Sequence, residues 1–333
     1  MKYWLGLITA FAFALVASLA QAAEFKPAVI YDMGGKFDKS FNEGVYTGIK
    51  RFEDETGVKV MEFEVTNETQ REQAMTRMVQ RGATIVLGVG FAQADAINKV
   101  AAANPEKQFA IIDVSWLDQP NLRQYAFKEH EGSYLVGVAA ALASKTGKVG
   151  FVGGMDIPLI RKFACGYVQG VKSVSADIEV LQNMTGTTPS AWNDPGKGSE
   201  LTQSQIDRGA DVVYHAAGGT GIGVIRAAAD AGKLAIGVDS NQNHLASGSV
   251  LTSMLKRVDV AAYETMKDAM AGKFDTGVRS LGLAEGGVGW ALDEHNAKLI
   301  NDDMKSKIDA AGKAIIDGKV AVHDYQSDKT CPF

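Results

Sequence analysis

Short apolar runs alternate with amphipathic helical stretches along almost the whole chain of 333 residues. The runs are rich in β-branched residues and bracketed by Gly, Pro or polar residues, which is typical of buried parallel strands. In the first half they lie at 28–32, 58–65, 84–89 and 109–113, with an edge or crossover strand at 124–127. After a helix at about 131–144 a second series of similar size begins. The pattern predicts a doubly wound α/β protein with two similar lobes.

Three of these runs end in an aspartate, at Asp32, Asp113 and Asp239. In open parallel α/β sheets, ligands bind beyond the carboxyl ends of the strands. The alternative for any single aspartate is that it caps the next helix or starts a turn. For the three together, we favour strand ends directed at one polar ligand.

The N-terminus has the features of a secretory signal peptide over residues 1–22. A single cation, Lys2, precedes an apolar stretch from Leu5 to Leu19, and Ala20-Gln21-Ala22 forms a small-x-small cleavage site. With no cysteine nearby, we expect an exported, periplasmic protein without a lipid anchor. Loss of Lys2 changes the formal net charge from −5 to −6. This mildly acidic balance argues against nucleic acid or an anionic membrane as a partner.

The only two cysteines are Cys165 and Cys331. In an oxidising compartment they could form a disulfide, or Cys165 could be a buried thiol and Cys331 part of a loose tail; the sequence leaves both open. The five histidines are scattered, so we expect no metal site. Residues 218–223 match neither the dinucleotide nor the Walker spacing, so we expect no cofactor. No catalytic signature is found.

Several loops carry residues suited to a planar ligand. Phe37 and Phe41 flank the start of a helix after Asp32, where either ring could stack on a ligand or serve as a hydrophobic staple. In the second half, Tyr214 and His215 precede a Gly-rich turn, where Gly218 would allow a close backbone approach.

Two further residues near the strand ends of the second half each have two possible interpretations. Lys256 follows Asp239 in strand order; together they could hold a vicinal diol, or form a surface ion pair of little value. Trp192 lies in a turn-rich loop at 187–198 and could approach a cleft or pack on its own lobe.

These segments, taken in order, resemble one family. The matching motifs are Asp32-Met33-Gly34-Gly35-Lys36-Phe37-Asp38-Lys39-Ser40-Phe41-Asn42, Ala216-Ala217-Gly218-Gly219-Thr220-Gly221, Gly237-Val238-Asp239 and Thr252-Ser253-Met254-Leu255-Lys256. Together they resemble the basic membrane protein family of substrate-binding proteins, which includes purine-nucleoside receptors of ABC importers. The resemblance covers the chain from about Lys26 to the last helix.

The resemblance implies a type I periplasmic-binding-protein fold with two doubly wound parallel-sheet lobes, three crossovers and a hinged cleft. The first lobe would comprise residues 23–127 and about 258–290, and the second 128–257 and about 291–333. The implied function is capture of a purine nucleoside, such as guanosine, inosine or adenosine, by a monomeric receptor that delivers it to an ABC permease of the inner membrane.

The resemblance also implies roles for individual residues. One aromatic from each lobe would stack on the base, Phe41 or Phe37 against His215 or Tyr214. Asp113 would receive purine N–H donors, whereas Asp239 and Lys256 would hold the ribose. Asp32 and Asn42 would contact the base or support the loop. Tyr-His replaces the Phe common among relatives, so the base preference stays open.

Two other functions share these features. One is a sensor subunit that passes the bound state to a signalling partner. The other is an exported nucleoside hydrolase that would use the aspartates as general bases or with a metal. The absence of a nucleophile motif or a metal cluster disfavours the hydrolase.

Overall fold

The structure is a computed structural model and describes residues 24–333. The predicted signal peptide at 1–22 lies outside the described residues. The first lobe is built on a parallel sheet whose strands alternate with helices. The strands are β1 (Pro27–Tyr31), β2 (Met61–Glu64), β3 (Ile85–Gly88), β4 (Gln108–Ile112) and β5 (Leu122–Phe127), and the intervening helices are α1 (Phe41–Thr56), α2 (Gln70–Gln80) and α3 (Ala94–Ala103).

The second lobe repeats this construction. Its strands are β6 (Lys148–Met155), β7 (Glu179–Gly186), β8 (Val212–Ala216), β9 (Leu234–Asp239) and β10 (Val250–Lys256). Its helices are α4 (Glu129–Ala143), α5 (Pro158–Val174), α6 (Pro195–Asp207) and α7 (Gly221–Asp230). Short 3₁₀ helices cover Phe91–Gln93, Pro189–Trp192, Gly218–Thr220 and Asn243–Ala246.

The remaining elements are shared between the lobes. Helix α8 (Val258–Met270) packs on α1, and strand β11 (Gly277–Leu281) pairs with β5 in the first lobe. Strand β12 (Val288–Trp290) and helix α9 (Asp302–Ile316) join the second lobe, and a short helix α10 (Tyr325–Asp328) lies on α5.

Each lobe has one six-stranded sheet. The strand order is β11-β5-β4-β3-β1-β2 in the first lobe and β12-β10-β9-β8-β6-β7 in the second. All neighbouring strands are parallel except β10 and β12, which are antiparallel. All residues of β1 and β8 are buried, because helices cover both faces of such a sheet.

The chain crosses between the lobes three times: between β5 and α4, between β10 and α8, and between β11 and β12. Two parallel-sheet α/β lobes confirm the predicted fold class. The sequence-based boundary assigned residues from 258 to about 290 to the first lobe. The structure places the end of that segment in the second lobe, since Val288–Trp290 pairs with β10 in the second sheet. Of the two alternatives for the 124–127 strand, the structure has the crossover, since the chain leaves the first lobe directly after β5. The strand is not an edge, because β11 pairs with its outer side.

A disulfide joins Cys165 on α5 to Cys331 in the C-terminal segment, with 5.6 Å between the two Cα atoms. Of the two possibilities that the sequence left open, the structure therefore has the pairing. The bond holds the segment that carries α10 against α5, one of the helices that borders the cleft between the lobes.

Candidate functional site

A cavity lies between the lobes, beyond the carboxyl ends of the strands of both sheets. A cleft at this edge of parallel sheets is the usual place for a small-molecule site. The first lobe contributes Asp32, Met33, Asp38, Phe41, Asn42, Gly90, Phe91 and Asp113, and the second contributes Leu159, Ile160, Phe163, Trp192, Ala216, Gly218, Val238, Asp239 and Lys256. All three strand-terminal aspartates therefore face one cavity.

Asp32, directly after β1, forms one polar wall of the cavity. Its Oδ1 atom accepts hydrogen bonds from the Arg71 guanidinium at 3.2 Å and from the backbone N–H of Met33 at 2.8 Å. Its Oδ2 atom has no hydrogen-bond partner among residues 24–333. Burial raises the pKa of Asp32, although Arg71 opposes the shift. The wall thus offers a carboxylate oxygen that can accept a donor from a ligand.

Asn42 supports this wall from the first turn of α1. Its Oδ1 accepts the backbone N–H of Asp32 at 3.2 Å, and its Nδ2 donates to the Asp32 carbonyl at 3.4 Å. The oxygen and the nitrogen of the side-chain amide both bond to the backbone of Asp32, at the end of the neighbouring strand. Asn42 therefore fixes the position of Asp32 and also lines the cavity.

The Asp38 side chain caps the N-terminus of α1. Its carboxylate accepts the backbone N–H groups of Ser40 at 2.8 Å, Asn42 at 3.0 Å and Glu43 at 3.1 Å, which satisfies free donors of the first helical turn. Burial raises the pKa of Asp38 to about 7, against the effect of these hydrogen bonds. Because Asp38 caps the helix, the Ser40 hydroxyl is free to interact elsewhere.

Ser40 connects the two lobes. Its hydroxyl lies 2.5 Å from Asp239 Oδ2, and its carbonyl accepts from the Ser240 hydroxyl at 2.8 Å. The Gln242 amide also donates to the Lys39 carbonyl at 2.9 Å. These contacts hold the start of α1 against the end of β9 and so join the two lobes across the cleft.

The most charged part of the cavity surrounds Lys256. The ammonium lies 2.6 Å from Asp113 Oδ1 and 3.0 Å from Glu129 Oε1. Burial raises the pKa of Asp113 to about 6, although Lys256 opposes the shift. Burial disfavours the charged lysine, but Asp113, Glu129 and Asp239 together raise its pKa above the ordinary value. Lys256 is therefore a cation.

Asp113 and Asp239 share an unusual backbone conformation. Their φ angles are +68° and +62°, in the left-handed region that few residues other than Gly, Asn and Asp occupy. Such a conformation costs on the order of 1 kcal/mol or more and is concentrated at functional sites. Each lobe thus turns one strand-terminal carboxylate into the cavity at the same kind of bend.

Aromatic rings provide the apolar walls. Phe41 comes from the first lobe, and Phe163 and Trp192 come from the second. The Lys256 ammonium lies 5.0 Å from the centroid of the Phe41 ring and 5.6 Å from that of Phe163, both within cation–π range. The Trp192 indole lies over Gly154, where a Cβ would come within 2.1 Å of the ring. Only glycine at that position leaves room for the indole.

Seven of the predicted site residues line the cavity: Asp32, Phe41, Asn42, Asp113, Gly218, Asp239 and Lys256. Phe37 does not. It is 57% exposed, and its ring packs edge-on against Tyr46 at 5.2 Å between centroids. The side chain points to the outer surface of the first lobe, whereas Phe41 from the same loop lines the cavity.

Tyr214 and His215 do not line the cavity either. Tyr214 packs against Phe151 in the core of the second lobe, and its hydroxyl lies 3.2 Å from that of Ser133. His215 Nε2 lies 2.9 Å from Gln242 Oε1, and burial lowers the pKa of the ring to about 4. Both residues lie before the last residue of β8, within the sheet, so their side chains enter the helix layers on either side.

Sequence reasoning missed Glu129, Lys162 and Arg71, the charged residues behind the cavity wall. Each lies on a helix and carries no local motif. It also left Trp192 undecided. The one available signal for Trp192 was a large aromatic in a loop otherwise made of turn formers, next to the proline that begins α6.

Within residues 24–333, no helix is long and apolar enough to cross a bilayer. In the same range, no group of three or more His, Cys, Asp or Glu side chains is placed to hold a metal ion.

Residues 25–326 match the family model Bmp, described as ABC transporter substrate-binding protein PnrA-like. The chain is 33% identical over 321 residues to the ABC transporter nucleoside-binding protein BmpA of Lactococcus lactis, covering 90% of this chain and 89% of that one. It is 31% identical over 304 residues to basic membrane protein A of Borreliella burgdorferi, covering 89% and 87%.

Solved structures agree with this relationship. A solute-binding protein of an ABC transporter system from Aeropyrum pernix superposes with a TM-score of 0.83 at 29% identity, over 92% of this chain and 95% of that one. One from Conexibacter woesei, at 21% identity, shares the fold with a TM-score of 0.74, over 90% and 99%. The chain therefore belongs to the Bmp, PnrA-like family of ABC transporter substrate-binding proteins.

Proposed function

We propose that the protein binds a purine nucleoside in the interlobe cavity without converting it. In this proposal it acts as a monomeric periplasmic receptor that delivers the nucleoside to an ABC permease. The observation that carries the proposal is the separation of two polar groups along one aromatic-walled cavity. Asp32 follows β1 and Asp113 follows β4, with β3 between those strands, so their backbones lie about 10 Å apart. This span suits a ligand with a planar ring at one end and hydroxyls at the other.

The base would lie between Phe41 and Trp192, one ring from each lobe. Stacking of a base on an aromatic side chain contributes about 1–3 kcal/mol. The unpaired Oδ2 of Asp32 would accept an N–H of the base edge, and Asn42 would hold that carboxylate in place. This assignment replaces Tyr214 and His215 with Trp192 as the stacking partner from the second lobe.

The ribose would lie at the opposite end, with its hydroxyls among Asp113, Asp239 and Lys256. Carboxylates accept hydrogen bonds from hydroxyls and an ammonium donates to them, so the trio suits a vicinal diol. The sequence-based expectation placed Asp113 at the base. Its contact with Lys256 supports a place at the sugar instead.

Closure over the ligand would complete the site, since Phe41 and Asp113 belong to the first lobe and Trp192, Asp239 and Lys256 to the second. Ser40, which bonds to Asp239 across the cleft, would stabilise the closed form. In two-lobed binding proteins, a hinge movement of this kind usually makes the ligand-bound form differ in shape from the ligand-free form.

A thermal-shift screen tests the proposal. The purified protein is heated with guanosine, inosine, adenosine, cytidine, ribose, hypoxanthine and a set of amino acids. A ligand at 100 times its dissociation constant stabilises the folded state by about 2.7 kcal/mol. We expect the largest shifts with purine nucleosides. A shift with ribose or an amino acid, and none with any purine nucleoside, would overturn the proposal.

Chromatography of the same mixtures tests whether binding occurs without conversion. We expect inosine to be recovered intact after prolonged incubation. Release of hypoxanthine in amounts exceeding the protein would instead support a nucleoside hydrolase.

A further inference from the structure

A buried row of alternating charges extends from the cavity through the second lobe to the C-terminal segment. It begins at Asp113 and Lys256 and continues to Glu129, whose Oε1 lies 3.0 Å from the Lys256 ammonium. The Lys162 ammonium lies 3.0 Å from Glu129 Oε2. It is also 3.7 Å from Asp324 in the segment that the disulfide ties to α5. Each oxygen of Glu129 thus faces a different lysine.

The inner members of this row are shielded from solvent. Glu129, Lys256 and Lys162 are 1%, 3% and 5% exposed. The two ammonium groups lower the pKa of Glu129 to about 2 despite its burial. Lys162 also donates to the Phe127 carbonyl at 2.8 Å and to Gln326 at 3.2 Å. Since a buried charge without partners is very unfavourable, each member of the row depends on its neighbours.

Glu129 does not line the ligand cavity, whereas Lys256 does. Glu129 is the first residue of α4, directly after the first crossover, and Lys256 is the last residue of β10, directly before the second. Their ion pair therefore joins two of the three connections between the lobes at the point where they meet the second lobe.

The members of the row differ in which lobe they belong to. Glu129, Lys162 and Lys256 all lie on elements of the second lobe, whereas Asp113 follows β4 of the first. Opening of the cleft would separate Asp113 from Lys256 but leave Glu129 in place. Glu129 is thus the partner that stays with Lys256 in the open and in the closed form.

We propose that Glu129 is a positioning residue that holds the Lys256 ammonium in the orientation needed for the ligand, and that Lys162 holds Glu129. Neither residue touches the ligand. Part of the proposal rests on the proposed function, because the ligand-binding effect requires that Lys256 contacts the nucleoside. The orientation of Lys256 itself does not depend on which ligand binds.

Two measurements on the full-length mature protein test the inference. The first is the dissociation constant for inosine, by calorimetry, in the wild type, Glu129→Gln, Lys256→Met and the double variant. We expect Glu129→Gln to weaken binding by about 10- to 100-fold, the effect typical of removing one partner from a buried charged contact. In the Lys256→Met background the same change should alter binding less than about 3-fold, because the group it positions is gone.

The second measurement needs no ligand. An amine-reactive reagent is applied to the unliganded protein, and modification of Lys256 is followed by mass spectrometry. The reagent reacts with the neutral ε-amine, which forms when the ammonium loses its proton. In Glu129→Gln, Lys256 should be modified at least about 10-fold faster than in the wild type, since loss of a buried ion-pair partner no longer stabilises the ammonium and lets the lysine leave its pocket. Glu131→Gln is the matched control from the same helical turn, since the Glu131 carboxylate faces Lys128 and the backbone N–H of Leu283 rather than Lys256. The amide oxygen of Gln can still accept that N–H, so both measurements should stay at wild-type values.

Circular dichroism establishes that each variant is folded. If Glu129→Gln does not fold, Glu129→Asp replaces it, since the shorter carboxylate keeps the charge but withdraws from Lys256. A folded variant whose Lys256 reacts at the wild-type rate would overturn the inference. So would an equal loss of inosine binding with and without the Lys256 ammonium. If the wild type binds no inosine, the titrations use the purine nucleoside that it does bind. If it binds no purine nucleoside, the proposed function fails, and the labelling experiment alone decides on the positioning role.

Discussion

The Lys256 ammonium lies 2.6 Å from Asp113 Oδ1, and this contact joins the end of a strand in one lobe to the end of a strand in the other. Three phenylalanine rings lie within 6 Å of that ammonium, at Phe41, Phe127 and Phe163. The ion pair is thus enclosed by apolar groups at the boundary of the lobes.

Removal of either stacking ring should weaken nucleoside binding. We expect Phe41→Ala and Trp192→Ala each to raise the dissociation constant for inosine by about 10- to 100-fold, equivalent to about 1–3 kcal/mol of stacking. Calorimetry measures the change. Phe37→Ala is the matched control from the same loop and should bind as the wild type does. Equal losses in Phe37→Ala and Phe41→Ala would contradict the assignment of the stacking ring.

The sugar contacts should distinguish a nucleoside from its base. Asp239→Ala should reduce the affinity for inosine at least about 10-fold more than the affinity for hypoxanthine, because only inosine has hydroxyls that lose a charged partner. Direct calorimetric titration with each ligand gives the ratio. Asp177→Ala removes an exposed carboxylate that does not line the cavity, and it controls for the change in net charge. A parallel loss for both ligands would argue against a sugar at Asp239.

His215 should make the stability of the protein depend on pH. Burial lowers the pKa of the ring from 6.5 to about 4, so below pH 6.5 the unfolded chain takes up a proton that the folded protein does not. The free energy of unfolding should therefore decrease as the pH falls from 6.5 towards 4, by up to about 1.4 kcal/mol per pH unit from this group.

Urea unfolding at pH 7 and pH 5 measures this contribution. His215→Gln should be less stable than the wild type at pH 7 but should lose less stability on acidification. The exposed His244→Gln is the matched control, as its side chain lies outside the core. A His215→Gln variant with the same pH dependence as the wild type would exclude this origin.

The disulfide should stabilise the protein substantially. It closes a loop of 166 residues between Cys165 and Cys331, and removal of a bond of this kind costs about 2–5 kcal/mol. We expect a reducing agent to lower the Tm measured by calorimetry. The double variant Cys165→Ser/Cys331→Ser should have a Tm close to that of the reduced wild type, and the reducing agent should not change it. An unchanged Tm on complete reduction, shown by thiol titration, would contradict the expectation.

The fold class and the polar residues at the strand ends of the cavity could be predicted from the sequence because the signals are local. Apolar runs with a terminal aspartate mark strand ends, and in two similar lobes these ends face one cleft. The residues that sequence reasoning placed incorrectly differ from neighbouring site residues by only a few positions. Tyr214 and His215 lie one or two residues before the end of β8 and thus within the sheet, whereas Gly218 lies beyond it and reaches the cavity.

The charged network could not be predicted because it depends on contacts between distant elements. Glu129, Lys162 and Lys256 come from α4, α5 and β10, and no spacing in the chain relates them. The role that we propose for Asp113 differs from the sequence-based expectation for the same reason. Its position at a strand end was evident, but its pairing with Lys256 follows from how the two lobes face each other.

The orientation of the ligand tests the account most directly, and a crystal structure of the protein with inosine measures it. The account predicts the base between Phe41 and Trp192 with a ring N–H on Asp32, and the ribose hydroxyls within hydrogen-bond distance of Asp113, Asp239 and Lys256. A nucleoside bound with its ribose at Asp32, or bound outside this cavity, would contradict it.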